Sequence, residues 1–195
     1  LKAVKDRCEE VGALLILDEI QSGMGRTGKL FEFMHHHVVP DIFITGKGLG
    51  GGMPIGAFIS SRENMLQLIE NPKLGHITTF GGHPVIAAAG LATLNEILNS
   101  GLMHEIDAKE KRIRENLKHP AIQDIRGKGL MLAAMVDTPE LATKIILKSL
   151  EKGLILFWLL FEGRAIRITP PINISLEEID LGCKILIEAI NETLN

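Results

Sequence analysis

Three short apolar runs constrain this chain more than anything else in it. Residues 13–17 read ALLIL, residues 42–45 read IFIT, and residues 55–59 read IGAFI. The first stops at Asp18-Glu19 and the second at Gly46. Unbroken apolarity over so few residues predicts strands covered on both faces, as in a parallel sheet. A sheet with one face in water would alternate apolar and polar instead. Gly-rich turns and short helical pieces separate the runs, which gives an α/β rhythm.

The remaining chain reads as punctuated helices and strands. Residues 3–10 predict a helix closed by Gly12. The opening LKAVKDRCEEVG has no signal-peptide pattern and reads as the last turns of an amphipathic helix entered midway. Pro84 suits a helix start, and VIAAAGLATLNEIL continues to a break at Asn99-Ser100-Gly101. A second, charged helix is predicted over 102–118. Near Arg126-Gly127-Lys128-Gly129 the texture changes. A strand over 130–136 leads to Thr138-Pro139, an N-cap with proline at the first helical position. That helix runs to Lys152 and ends at Gly153. Two strands follow near 154–158 and 165–169, the second stopped by Pro170-Pro171. Ser175 and Glu178 form a capping box for a last helix. The reading gives a boundary near 120, with domains at 1–120 and 121–195.

Composition removes several function classes. The 195 residues carry a net charge of -3 with no basic block, so neither nucleic acid nor an anionic membrane surface is an expected partner. No apolar run approaches the ~20 residues of a membrane span. Cys8 and Cys183 lie far apart, without metal-ligand spacing, and suit a reduced, cytoplasmic protein. His35-His36-His37 cannot all converge on one ion from adjacent positions, so no metal site is expected. Trp158 and Phe161 are expected in the core or at its rim.

The glycines of DIFITGKGLGGGMPIGAFIS, residues 41–60, invite a phosphate-binding reading. Gly46-x-Gly48-x-x-Gly51 formally matches a dinucleotide fingerprint. That site needs a helix to open at once behind the glycines, and Met53-Pro54-Ile55 with another strand-like run follows instead. A P-loop needs Ser or Thr after Gly-Lys, and Lys47 is followed by Gly48. Two readings of Lys47 remain, an exposed loop lysine or a reactive amine approached closely by a ligand. Asp18 ends a strand, where open α/β sheets place their ligands. It is either a turn-capping Asp or a carboxylate facing a cationic partner.

Four segments in order carry a resemblance over most of the chain: LILDEIQSGMGRTGKLF, DIFITGKGLGGGMPIGAF, HITTFGGHPVIAAAGLATL and RAIRITPP. Together they resemble the class-III aminotransferases of fold type I, nearest the acetylornithine/ornithine branch. The resemblance implies a PLP-dependent transferase fold in the α/β class. Residues 1–120 would be the C-terminal part of the large cofactor-binding domain with linking helices, and 121–195 the small domain. The implied cofactor is pyridoxal 5'-phosphate. Lys47 matches the lysine that joins the cofactor aldehyde and then moves protons as base and acid. Asp18 matches the carboxylate that keeps the pyridine nitrogen protonated. Gln21 matches the residue beside the ring's phenolic oxygen. Thr79 matches the threonine that bonds the cofactor phosphate of a neighbouring subunit, which implies a homodimer. Thr78 matches an adjacent substrate-contacting position. Arg167 matches the arginine that clamps a substrate carboxylate, with Arg164 as its rival. Glu19 and Arg26 match positions of structural use.

The implied reaction is transamination between an acetylornithine-like, ornithine-like or other ω-amino donor and 2-oxoglutarate. A 4-aminobutyrate-type transaminase, an aminomutase and a non-catalytic fragment are the alternatives. Ile77 and His83 stand where relatives commonly have Gly and Asn. Nothing here resembles the family's N-terminal half, so the chain is expected to be a C-terminal half, catalytically poor and prone to associate by itself.

Overall fold

The computed structural model describes residues 1–73 and 75–195. Two compact units divide the chain, Leu1–Gly101 and Leu102–Asn195. The division precedes helix α4 (Leu102–Asn116), which packs on the C-terminal helix α6 (Leu176–Leu194), whereas the sequence texture changes only near 120.

In the first unit, helix α1 (Lys2–Val11) ends as expected. Gly12 takes φ 70° and returns its N–H to the carbonyls of Cys8 and Glu9. Asp41 then ties three segments together. It accepts from the Lys5 ammonium at 2.8 Å and from the Leu15 amide at 2.7 Å. Both contacts favour its charged form, the Lys5 contact most, and hold its carboxyl below the usual range. The sheet contains β1 (Ile16–Asp18), β2 (Ile42–Gly46) and β3 (Gly56–Ser60), in that order.

Two sequence expectations are corrected here. Only β1 and β2 run parallel, whereas β3 returns antiparallel to β2. The physical reason is length: the nine residues 47–55 are too few for a crossover and make a tight turn instead. The first run is also not covered on both faces, since Leu14 and Ile16 are more than half exposed. One face of β2 is covered by Phe43 packed on Phe31 and Phe33, with ring centroids 4.8–5.8 Å apart among the three. Helix α2 (Arg62–Leu66) starts at a Ser61 cap. Helix α3 (Pro84–Asn99) buries Gly90 and Ile97 and leaves Val85, Leu91 and Leu98 exposed.

The second unit is a four-stranded antiparallel sheet with helices on one face. Its strands are β4 (Asp124–Lys128), β5 (Met131–Met135), β6 (Phe157–Trp158) and β7 (Ala165–Ile168), in the order β4-β5-β7-β6. β4 is a strand that the sequence pattern did not predict, showing there only as a change of texture. Leu132, Ala134, Ile166 and Ile168 point into one continuous core with Ile106 and Ile113 of α4. Helix α5 (Pro139–Glu151) adds Ile145 and Ile146, and α6 adds Ile179, Leu186 and Ile190. The expected caps are present: Thr138 accepts from Leu141 N–H, and Ser175 with Glu178 forms the full capping box. Phe161 lies fully exposed on the β6–β7 loop, contrary to expectation, and Trp158 is 41% exposed with its indole N–H on Thr143. Among the described residues, no single helix is long and apolar enough to cross a membrane.

Candidate active site

The first unit brings Asp18 and Lys47 to the same end of two adjacent parallel strands. Asp18 is the last residue of β1 and stands opposite Ile44 of β2, and Lys47 follows three residues beyond Ile44. Both side chains are exposed. The Asp18 carboxylate is oriented by the Ile20 amide, which donates to Oδ1 at 2.9 Å, a local turn that costs no other partner. Lys47 has φ 44°, in the left-handed region that a side chain other than glycine enters only at a cost of about 1–3 kcal/mol. It opens a single 3₁₀ turn, Lys47–Gly50. Helix α3 closes on that turn so tightly that a Cβ at Gly51 would meet Thr93 Oγ1 at 2.2 Å. Packing thus holds the strained backbone of Lys47 in place.

The loop after β1 is pinned by Glu19, only 4% exposed. Its carboxylate accepts from Ser22 Oγ at 2.5 Å, Glu32 N–H at 3.0 Å and Phe33 N–H at 2.9 Å. This satisfies a buried charge with three donors, so the loop carrying half-buried Gln21 cannot drift from the end of β1. The family resemblance gave Glu19 a position of structural use, but not this latch, because residues 32–33 return to it only in the fold. Burial also lowers the pKa of Arg26.

Thr78 and Thr79 are both exposed, ahead of α3. Neither caps that helix. His83 does, with its Nδ1 accepting from Val85 N–H at 3.3 Å.

The second unit holds Arg167 on β7, between Ala133 of β5 and Phe157 of β6. Its guanidinium carbon lies 5.1 Å from the centre of the Phe157 ring. Its Nε is buried and has no hydrogen-bond partner among the described residues. The rival Arg164 is already engaged with both oxygens of Glu162, at 3.0 and 2.9 Å. That pairing pulls the Glu162 carboxyl down to about 2.

Comparison with known proteins shows the family. The family described as Aminotransferase class-III matches residues 1–190. An acetylornithine aminotransferase of Caldanaerobacter subterraneus is 44% identical over 98% of this chain and 48% of its own length. An ornithine aminotransferase from Plasmodium yoelii superposes with a TM-score of 0.88 at 33% identity, over 98% of this chain and 51% of its own. An ornithine aminotransferase from Toxoplasma gondii, described with partial occupancy of PLP at its active site, gives a TM-score of 0.88 at 30% identity. That match covers 99% of this chain and 46% of the Toxoplasma chain. The chain thus spans about half the length of the relatives it matches. With the family matched from the first residue almost to the last, the chain belongs to the class-III aminotransferases.

Proposed function

We propose that this chain carries the reacting half of a transaminase, moving an amino group from an acetylornithine- or ornithine-like donor to 2-oxoglutarate with pyridoxal 5'-phosphate. The observation that carries the reading is Lys47, strained and exposed just past β2, at the same end of the sheet as Asp18, the last residue of the parallel β1. Both residues suit that cofactor. A lysine amine can hold its aldehyde, and a carboxylate can pair with its ring nitrogen. When bound, the cofactor supplies a conjugated ring that accepts the electron pair left at the substrate Cα.

The chain's own residues then have separable tasks. Asp18 would pair with the ring nitrogen and keep it protonated, with its carboxylate held in one orientation by the Ile20 amide. Lys47, as a free amine, would take the proton from the substrate Cα and hand it to the cofactor's C4′. Gln21 would approach the ring's phenolic oxygen from a loop pinned by Glu19. Thr79, exposed on the first unit, serves the phosphate of a second copy in a homodimer, with Thr78 beside it toward substrate. Arg167 clamps a substrate carboxylate. Among the described residues no acid pairs with it, which supports that role over Arg164, which Glu162 occupies. A clamp for a carboxylate also favours a transaminase over an aminomutase.

A donor panel tests the reading. The chain, joined to the N-terminal half that its relatives carry and supplied with pyridoxal phosphate and 2-oxoglutarate, is expected to form glutamate fastest with acetylornithine or ornithine. That glutamate should vanish in Lys47→Ala. Equal glutamate from both proteins would contradict the reading, and fastest turnover of 4-aminobutyrate would move the donor to the runner-up.

A further inference from the structure

We propose that Phe157 is a positioning residue for Arg167, a ring that holds the guanidinium without using its hydrogen-bond donors. The inference rests on Arg167 being the carboxylate clamp, and extends that reading to a residue of a neighbouring strand. Arg167 and Phe157 are register partners across β7 and β6, so their side chains leave the same face of the sheet. The guanidinium carbon sits 5.1 Å from the ring centre, within the range of a cation–π contact. On the other flank the register partner is Ala133, whose methyl offers no acceptor.

The same row shows why a ring suits this position better than an acid. Arg126, paired with Ala133 from β4, is bonded to Asp124 at 3.1 Å. Arg164, three residues before Arg167, has its fork filled by Glu162. Each of these arginines is held by a carboxylate that occupies N–H groups and neutralises its charge. Arg167 differs: its Nε is buried without an acceptor among the described residues, and its guanidinium lies over the face of an aromatic ring. A π face attracts the cation but accepts from none of its in-plane N–H groups in the way a carboxylate does. The guanidinium is therefore oriented while its terminal N–H groups stay unpaired, among the described residues, for an incoming carboxylate. Phe157 is 52% exposed, on the edge strand, so core packing does not account for an aromatic there.

The experiment follows the Arg Nε–Hε signals of the ¹⁵N-labelled chain during titration with glutarate, a dicarboxylate that needs no cofactor. The Arg167 signal is identified by its loss in Arg167→Lys. In the unsubstituted chain it is expected to be shifted by the ring and to move with glutarate. Phe157→Leu, which keeps apolar bulk, should abolish the ring shift and weaken glutarate binding roughly three- to tenfold. Phe157→Tyr should restore both, and serves as the control should the leucine variant fold poorly. Unchanged glutarate binding in Phe157→Leu overturns the positioning role while leaving the clamp standing, provided Arg167→Lys loses binding. Full binding in Arg167→Lys, or no response of the Arg167 signal to glutarate, overturns the clamp and the positioning role together.

Discussion

The two units solve the problem of burying apolar surface very differently. In Leu102–Asn195 the helices α4, α5 and α6 cover one face of the sheet, and residues such as Ile106, Ile145, Ile166 and Leu186 are at most 2% exposed within a single cluster. In Leu1–Gly101 the buried apolar side chains are Leu15, Met24, Phe33, Val38 and Ile97, while Val4, Val11, Leu14, Ile16, Val85 and Leu91 are each more than half exposed. Helix α1 buries no residue at all. Yet this thinly packed unit carries Asp18, Gln21, Lys47, Thr78 and Thr79. The contrast separates two sources of order. The second unit is held by burial, whereas β1 and β2 are held by discrete devices: the Asp41 tie at their starts, and the Glu19 latch and the closure of α3 on Gly51 beyond their carboxyl ends.

Substitutions can break that comparison. Leu186→Ala should cost about 2–5 kcal/mol, because it leaves a cavity in a closed core. Leu14→Ala, at a site 54% exposed, should cost about 0.5 kcal/mol or less. Urea unfolding of the two variants checks this, and equal losses would erase the distinction between the units. Helix caps give a smaller, sharper contrast. Thr138→Ala should destabilise by about 1 kcal/mol, since the hydroxyl satisfies the Leu141 amide at the start of a well-packed helix. His83→Ala, removing a longer bond at an exposed cap, should cost no more than a few tenths of a kcal/mol.

The smallest expected effect concerns pH. Glu162 has its folded pKa depressed from 4.5 to about 2 by Arg164. A depressed carboxyl contributes stability that is fully present above its unfolded pKa. That contribution is lost as pH falls from about 4.5 through about 2. Because the pair is exposed, screening keeps the effect on stability small. The carboxyl ¹³C titration of Glu162 should show the low midpoint. A midpoint near 4.5 would mean that Arg164 is free and an open rival to Arg167.

Much of this architecture was legible from local chemistry. Gly12, Thr138, Ser175 with Glu178, and the break after Asn99 all sit where short-range rules put them, because caps and turns depend on neighbours in sequence. What local patterns missed depends on distant segments. The direction of β3 is decided by the short turn that carries Lys47, and apolarity alone does not distinguish its antiparallel pairing from a parallel one. The exposure of Leu14 and Ile16 was hidden for the same reason: an apolar run shows what could be buried, not what covers it. Of the candidate site, Lys47 and Asp18 were legible as residue types at strand ends. The left-handed backbone at Lys47, the Glu19 latch and the ring beneath Arg167 need the folded chain.

The central claim is that Lys47 is the lysine that holds pyridoxal phosphate. The most direct test is to incubate the chain with the cofactor, reduce with borohydride and map the modified residue by peptide mass spectrometry. The account predicts a pyridoxyl group concentrated on Lys47, absent from Lys47→Ala and diminished in Asp18→Asn. Labelling spread evenly over exposed lysines such as Lys29 and Lys73, and unchanged by either substitution, would contradict it.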